Sequence, residues 1–215
     1  MATEHADTRT PSQLAAIMFV DQVASTRQCA ELGDEAAFAL HCQLQRVLIG
    51  HITARTGWLA NSTGDGVLAL FASPVASIAA ACAIQSDLYA SNAGEDRATR
   101  TEVRIGIHVG EPLFDPTGNP FGLCVNLTAR ICALAGAGET LVSDLVNEFL
   151  DRPDRRQLVA SRCVTLRGAP HPTRLWRLSV ARPNAPSPAH QRQPQLTPKR
   201  HRCVAATPPG SIAHP

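Results

Sequence analysis

The sequence predicts an α+β fold, an antiparallel sheet with helices packed on one face. Three observations carry it. Apolar runs of strand length alternate with longer runs at helical spacing in the order β-α-β-β-α-β, the ferredoxin-like arrangement. The second and third strands are joined by a tight turn, Asn61-Ser62-Thr63-Gly64-Asp65-Gly66, in which Asp-Gly tolerates the positive φ that a hairpin needs. An apolar content of 44% over 215 residues supplies one core, and with aromatics at only 4% that core is mostly Ala, Leu, Val and Ile.

Taken in order, residues 1–12 are polar and mixed in charge and read as disordered. The body spans residues 13–180. Its first strand, 14–20, is continuously apolar, as in a fully buried strand. Residues 21–26 are a loop of mostly small side chains, which lets backbone groups approach a ligand; Ser25 or Thr26 also suits a helix N-cap. Residues 33–55 read as one long helix, with Ala36, Phe38, Leu40, Leu44, Val47, Leu48 and Ile52 at helical spacing and Gly57 at its end. After the hairpin, Ser73-Pro74 opens an alanine-rich helix that runs to about residue 89.

Residues 102–111 are a strand. Val103, Ile105, Ile107 and Val109 share one face, and Arg104, Gly106 and His108 share the other. Residues 112–123, rich in proline and glycine, are a loop. Residues 125–134 form a helix on which Asn126 and Arg130 share a face. A short strand at 141–143, a short helix at 144–150 and two last strands, 158–166 and 173–180, complete the body.

The net charge of +2 hides a split. Residues 1–180 hold all 18 acidic residues and 15 arginines but no lysine, whereas 181–215 hold four arginines, the chain's one lysine (Lys199) and no acid. Half of the 16 prolines also lie in 181–215, which reads as a disordered, proline-rich basic tail. Such a tail is ordinarily just solvated, and no strong signal for nucleic acid appears. Seven scattered cysteines without a Cys-x-x-Cys pair fit a reducing compartment. No apolar run approaches the roughly 20 residues that cross a bilayer, and the first residues do not form a signal peptide. The expected location is cytoplasmic.

Two carboxylates stand out. Asp21 ends the first buried strand, which puts it at a sheet rim, and Asp65 sits in the hairpin turn. Most Asp-Gly turns are only turns. Two carboxylates on neighbouring strands can nonetheless hold a divalent cation through oxygen.

With these residues in place, the sequence resembles the class III nucleotidyl cyclase catalytic domain of the compact bacterial kind. The matching segments are 19–26 (FVDQVAST), 31–36 (ELGDEA), 62–69 (STGDGVLA), 104–111 (RIGIHVGE) and 125–130 (VNLTAR). Leu166-Arg167-Gly168 stands where the family usually has Leu-Lys-Gly. The resemblance implies a head-to-tail homodimer with composite active sites that converts ATP to 3′,5′-cyclic AMP and pyrophosphate. It implies that Asp21 and Asp65, with the backbone carbonyl of Gln22, bind two Mg²⁺ or Mn²⁺ ions. Asn126 matches the residue that orients the ribose, and Arg130 the one that stabilises charge on the α-phosphate, both from the opposite subunit. Arg104 and Arg167 match basic contacts to the terminal phosphates. Arginine for lysine at 167 keeps the charge and adds a fork suited to phosphate oxygens.

Each residue has a plainer reading. Arg104 can be a sheet-face arginine paired with an acid, Asn126 a helix cap, Arg130 a surface charge, and His108 a packed or hydrogen-bonded core residue. Cys124 and Cys132 read as small core residues.

The base-selecting positions depart from the family. Adenylate-selective members usually carry lysine four residues before the second metal aspartate, and aspartate or threonine seven residues before the ribose asparagine. Guanylate-selective members carry glutamate and cysteine there. Here the two are Asn61 and Asn119. An amide that can flip accepts or donates, so two asparagines predict weak base choice and a raised KM for ATP. The alternative to an enzyme is a catalytically weak or inactive cyclase-homology domain, acting as a regulatory dimer that binds nucleotide. A third reading is a guanylate cyclase with relaxed base choice.

Overall fold

The computed structural model describes residues 13–180, without the side chains of residues 61–63. The segments expected to be disordered, 1–12 and 181–215, lie outside the described residues.

The elements are β1 (Ala15–Gln22), α1 (Ser25–Leu32), α2 (Asp34–Thr53), β2 (Trp58–Thr63), β3 (Gly66–Phe71), α3 (Pro74–Ser91) and β4 (Val103–Gly110). They continue with β5 (Leu113–Phe114), β6 (Pro120–Phe121), α4 (Leu123–Leu134), β7 (Thr140–Ser143), α5 (Asp144–Glu148), α6 (Arg152–Arg155), β8 (Leu158–Val164) and β9 (Thr173–Leu178). The main sheet has seven strands in the order β2-β3-β1-β4-β7-β9-β8. Its first four strands pair antiparallel and are the βαββαβ core that the sequence predicts. The pair β4–β7 is parallel, so the sheet is mostly rather than wholly antiparallel.

Helices cover both faces, not one. Ala16, Met18, Val20, Val67, Ala69, Phe71, Ile105 and Ile107 form the larger core, with Leu44, Leu48 and Ile52 of α2 and Ile78 and Ile84 of α3. The opposite face carries α4, which packs Cys124 and Val125 on Ile17 and Leu68, and Leu127 and Ile131 on Leu141 and Leu175. Two glycines of β4 make this possible. A Cβ on Gly106 would lie 2.4 Å from the backbone nitrogen of Cys132, and one on Gly110 would lie 2.4 Å from the Cys124 Cβ. The helix backbone therefore rests directly on the strand.

The predicted helix over 33–55 starts after a break. Gly33, at φ 79°, ends α1 and begins α2. Helix α1 escapes an apolar pattern because Gln28 is its one buried side chain. Gln28 is fixed by polar contacts: it accepts from Gln22 Nε2 at 2.7 Å, and its own amide donates to the carbonyls of Ala98 and Arg100 at 3.2 and 2.8 Å. The loop predicted at 112–123 contains the small hairpin β5–β6.

Candidate active site

Strand register brings the two aspartates to one rim. Asp21 lies opposite Gly66 on β3 and opposite Arg104 on β4. The next residue, Gln22, donates its backbone N–H to the carbonyl of Asp65 at 3.1 Å, which ties the hairpin turn to the end of β1. Asp21 is half-buried and Asp65 is exposed. The Ser25 hydroxyl donates to Asp65 Oδ2.

Arg104 answers one of the plainer readings directly. Its Nε and Nη2 donate to Asp21 Oδ2 at 2.7 and 2.6 Å. The arginine thus occupies the carboxylate that the resemblance assigns to metal. The Gln22 side chain turns away from the rim, buried against Gln28, so only its backbone belongs to the site. The first turn of α1 is uncapped: its N-cap is Ala24, at φ 61°, and neither Ser25 nor Thr26 serves as a side-chain cap.

Helix α4 carries the other pair. Asn126 is exposed, and its N–H bonds to the carbonyl of Gly122, the residue that opens the helix; Asn126 is therefore not the cap. Arg130 is not a surface charge, because its Nη1 is buried without a hydrogen-bond partner among the described residues. A Cβ on Gly168 would lie 3.0 Å from that atom, so Arg130 rests against the Leu166-Arg167-Gly168 turn. A buried guanidinium N–H with no acceptor is costly, on the order of 1–3 kcal/mol, unless something supplies one. Arg167 itself is exposed. Among the described residues, no hydrogen bond or ion pair joins Asn126 or Arg130 to either aspartate.

Asn119 does not have the free amide expected of it. Its Nδ2 donates to Asp115 Oδ2 at 3.2 Å and to Thr117 Oγ1 at 2.7 Å. Hydrogen bonds, first from the Thr117 side chain and then from the Asn119 backbone, lower the Asp115 carboxyl to about 2. Asn61 pairs in the ladder opposite Leu68, beside a β-bulge, and its side chain lies outside the described residues. The sequence offers Ser25 only as a helix cap and does not single out Asp115. The turn signature Asp-Pro-Thr-Gly could have found Asp115; nothing local points to the bond between Ser25 and Asp65.

His108 and the two cysteines are core residues, as their plainer readings have it. His108 Nδ1 lies 2.8 Å from the Ser143 hydroxyl, and burial lowers its pKa to about 4. Cys132 is pushed up to about 12, first by burial and then by the charge of Asp21. Cys124 is raised by burial. A cavity of about 700 Å³, lined by Gln85, Asn92, Glu102, Glu139 and Arg177, holds neither aspartate and nothing of α4. Asp21, Asp65 and Arg104 lie together at the sheet rim instead.

Solved adenylyl and guanylyl cyclase domains align with 77–81% of this chain at TM-scores of 0.61–0.68. This is the fold of the class III nucleotidyl cyclase catalytic domain. Among the solved structures, an adenylate/guanylate cyclase/hydrolase from Silicibacter pomeroyi is 26% identical, with a TM-score of 0.65, over 79% of this chain and 98% of that one. In sequence, the chain is 31% identical over 166 residues to "Putative adenylate cyclase 3" of Rhizobium meliloti (strain 1021), covering 76% of this chain and 28% of that protein. It is 27% identical over 178 residues to the serine/threonine-protein kinase pkn2 of Myxococcus xanthus, covering 82% of this chain and 21% of that protein. The chain therefore spans less than a third of either curated relative. No protein-family model matches it. The fold is shared by adenylyl and guanylyl cyclases and so does not choose the base. Among the described residues, no helix is long and apolar enough to cross a membrane.

Proposed function

We propose that residues 13–180 form a catalytic domain that converts ATP to 3′,5′-cyclic AMP and pyrophosphate, in a homodimer whose sites each draw on both copies. One observation carries this: Asp21, Asp65 and Arg104 meet at one rim, while Asn126 and Arg130 of the same chain bond to none of the rim carboxylates. A second copy placed head to tail supplies the α4 residues to that rim.

The donor set fits Mg²⁺ or Mn²⁺. Asp21 and Asp65 offer hard oxygens on adjacent strands, and the carbonyl of Gln22 adds a third. Among the described residues no group of three or more His, Cys, Asp or Glu could hold a metal, so phosphate oxygens of the nucleotide would complete the shells. Held there, two ions would lower the pKa of the ribose 3′-hydroxyl and neutralise charge on the triphosphate.

The chain's own residues position the nucleotide. Arg104 leaves Asp21 for the terminal phosphates, and Arg167 presents a second guanidinium to them. No side chain caps the first turn of α1, whose N–H groups would suit the same negative charge. Asn126 holds the ribose. Arg130 gives its unpartnered N–H to the α-phosphate as negative charge builds there, which favours the transition state over the ground state. The 3′-oxygen bonds to the α-phosphorus as the bond to the leaving pyrophosphate breaks.

The test is to incubate the purified chain with ATP, and separately with GTP, in Mn²⁺ and in Mg²⁺, and to identify the cyclic nucleotide. Cyclic AMP that disappears in Asp65→Ala supports the reading. A second reading, a non-catalytic regulatory dimer, draws on Asn61 and on the closed Asp21–Arg104 pair. Folded, dimeric protein that yields no cyclic nucleotide under any of these conditions would favour it. Cyclic GMP as the main product would favour a guanylate cyclase.

A further inference from the structure

We propose that Asp115 is a positioning residue that locks the Asn119 amide as a hydrogen-bond acceptor, so that the site selects adenine over guanine. This rests on the cyclase reading and sharpens it.

The lock is complete on the amide's donor side. A carboxylate only accepts, so the nitrogen end of Asn119 must face Asp115 Oδ2, at 3.2 Å. The second hydrogen of the same NH₂ goes to Thr117 Oγ1 at 2.7 Å. Thr117 can accept there because its own hydroxyl hydrogen goes to Asp115 Oδ1, also at 2.7 Å. A flipped amide would set its oxygen against the Asp115 carboxylate, and Thr117 could donate to it only by giving up its own bond to Asp115. The orientation shown is favoured, and among the described residues it leaves Asn119 Oδ1 without a hydrogen bond.

The same carboxylate fixes the loop backbone. Asp115 Oδ1 accepts the N–H groups of Thr117 and Asn119 at 2.9 and 2.8 Å, and the Asp115 N–H donates to the Asn119 carbonyl at 3.0 Å. Asp115 is exposed, whereas Asn119 is half-buried. The network serves the placement of one side chain more than it serves packing.

A free acceptor at residue 119 has the polarity of the aspartate that the resemblance gives to adenylate-selective cyclases, and the opposite polarity to a cysteine thiol. It meets the donor amine of adenine and opposes the acceptor oxygen that guanine carries at the same ring position. A base that leaves such a group unpaired is rejected more strongly than one that merely fits less well. Without Asp115 the amide is free to turn, and the preference goes with it.

The test measures equilibrium binding of 3′-deoxy-ATP and 3′-deoxy-GTP, which cannot cyclise, to the full chain with Mn²⁺. The wild-type chain should prefer the adenine nucleotide by about tenfold or more. Asp115→Asn should bring the two dissociation constants to within about threefold of each other, because its amide no longer dictates how Asn119 faces. Exchanging the pair, Asp115→Asn with Asn119→Asp, restores a fixed acceptor at 119 and should restore the preference, which a merely structural role for Asp115 would not do. An unchanged ratio in Asp115→Asn, or no recovery in the exchanged pair, would overturn the proposal. Equal binding of both nucleotides by the wild-type chain would overturn this inference alone. Binding of neither would overturn the cyclase reading, and this inference with it.

Discussion

Arg104 grips Asp21 by two N–H groups on one carboxylate oxygen, Oδ2, at 2.6 and 2.7 Å. Both side chains stand at the rim where the resemblance places metal and triphosphate, so under the proposed function substrate would have to open the pair. Each side chain is 36% exposed, and solvent therefore screens the pair.

Arg104→Ala should leave stability within about 1 kcal/mol of wild type, as expected for a screened pair. With Asp21 freed, Mn²⁺ should bind up to about fivefold more tightly in the absence of nucleotide. Activity should nevertheless fall, because the phosphate contact is lost. Calorimetric Mn²⁺ titration, a urea midpoint and a rate measurement separate the three effects.

Gly106→Ala drives a methyl group into the backbone of α4, 2.4 Å from the Cys132 nitrogen and 2.8 Å from the Thr128 carbonyl. The helix must shift, at a cost of about 1–3 kcal/mol, and Asn126 and Arg130 shift with it. The urea midpoint should drop, and activity per folded molecule should drop as well. Gly50→Ala is the contrasting control. Gly50 lies inside α2 with nothing within 4 Å of an added Cβ, so the substitution should stabilise by about 0.5–1 kcal/mol.

His108 is neutral in the folded chain because burial lowers its pKa from 6.5 to about 4. The unfolded chain takes up a proton below about pH 6.5 while the folded one does not. Stability therefore falls as pH drops from about 6.5 to about 4 and loses nothing more from this group below that. The total is on the order of 3 kcal/mol. Denaturation midpoints between pH 7 and pH 4 should show a loss that is reduced in His108→Gln.

How much was legible in the sequence depended on whether the signal was local. The β1 run, the Asp-Gly turn and the alanine-rich α3 are each written in a few neighbouring residues, so the core order and the placement of Asp21 and Asp65 could be read. Helix α1 could not, because Gln28 holds it through hydrogen bonds to carbonyls about 70 residues away. That α4 lies on the face opposite α2 and α3 also stayed hidden. Gly106 and Gly110 are legible as small residues, but not as the floor under a helix.

The site divides in the same way. Asn126 and Arg130 could be placed on one helix from their spacing, yet the buried Nη1 of Arg130 depends on Gly168, far along the chain. Asn119 looked free to flip because its side chain alone allows either orientation. Asp115, four residues earlier, removes that freedom.

The measurement that tests the composite cyclase most directly mixes two damaged chains. Asp65→Ala removes a rim carboxylate and Arg130→Ala removes the α4 guanidinium, so neither chain should make cyclic AMP alone. Unfolded together and refolded as a mixture, half of the dimers should pair one of each and hold one intact site of two, recovering about a quarter of wild-type activity. A mixture that forms dimers and stays silent, beside an active wild-type chain, would contradict a site shared between copies.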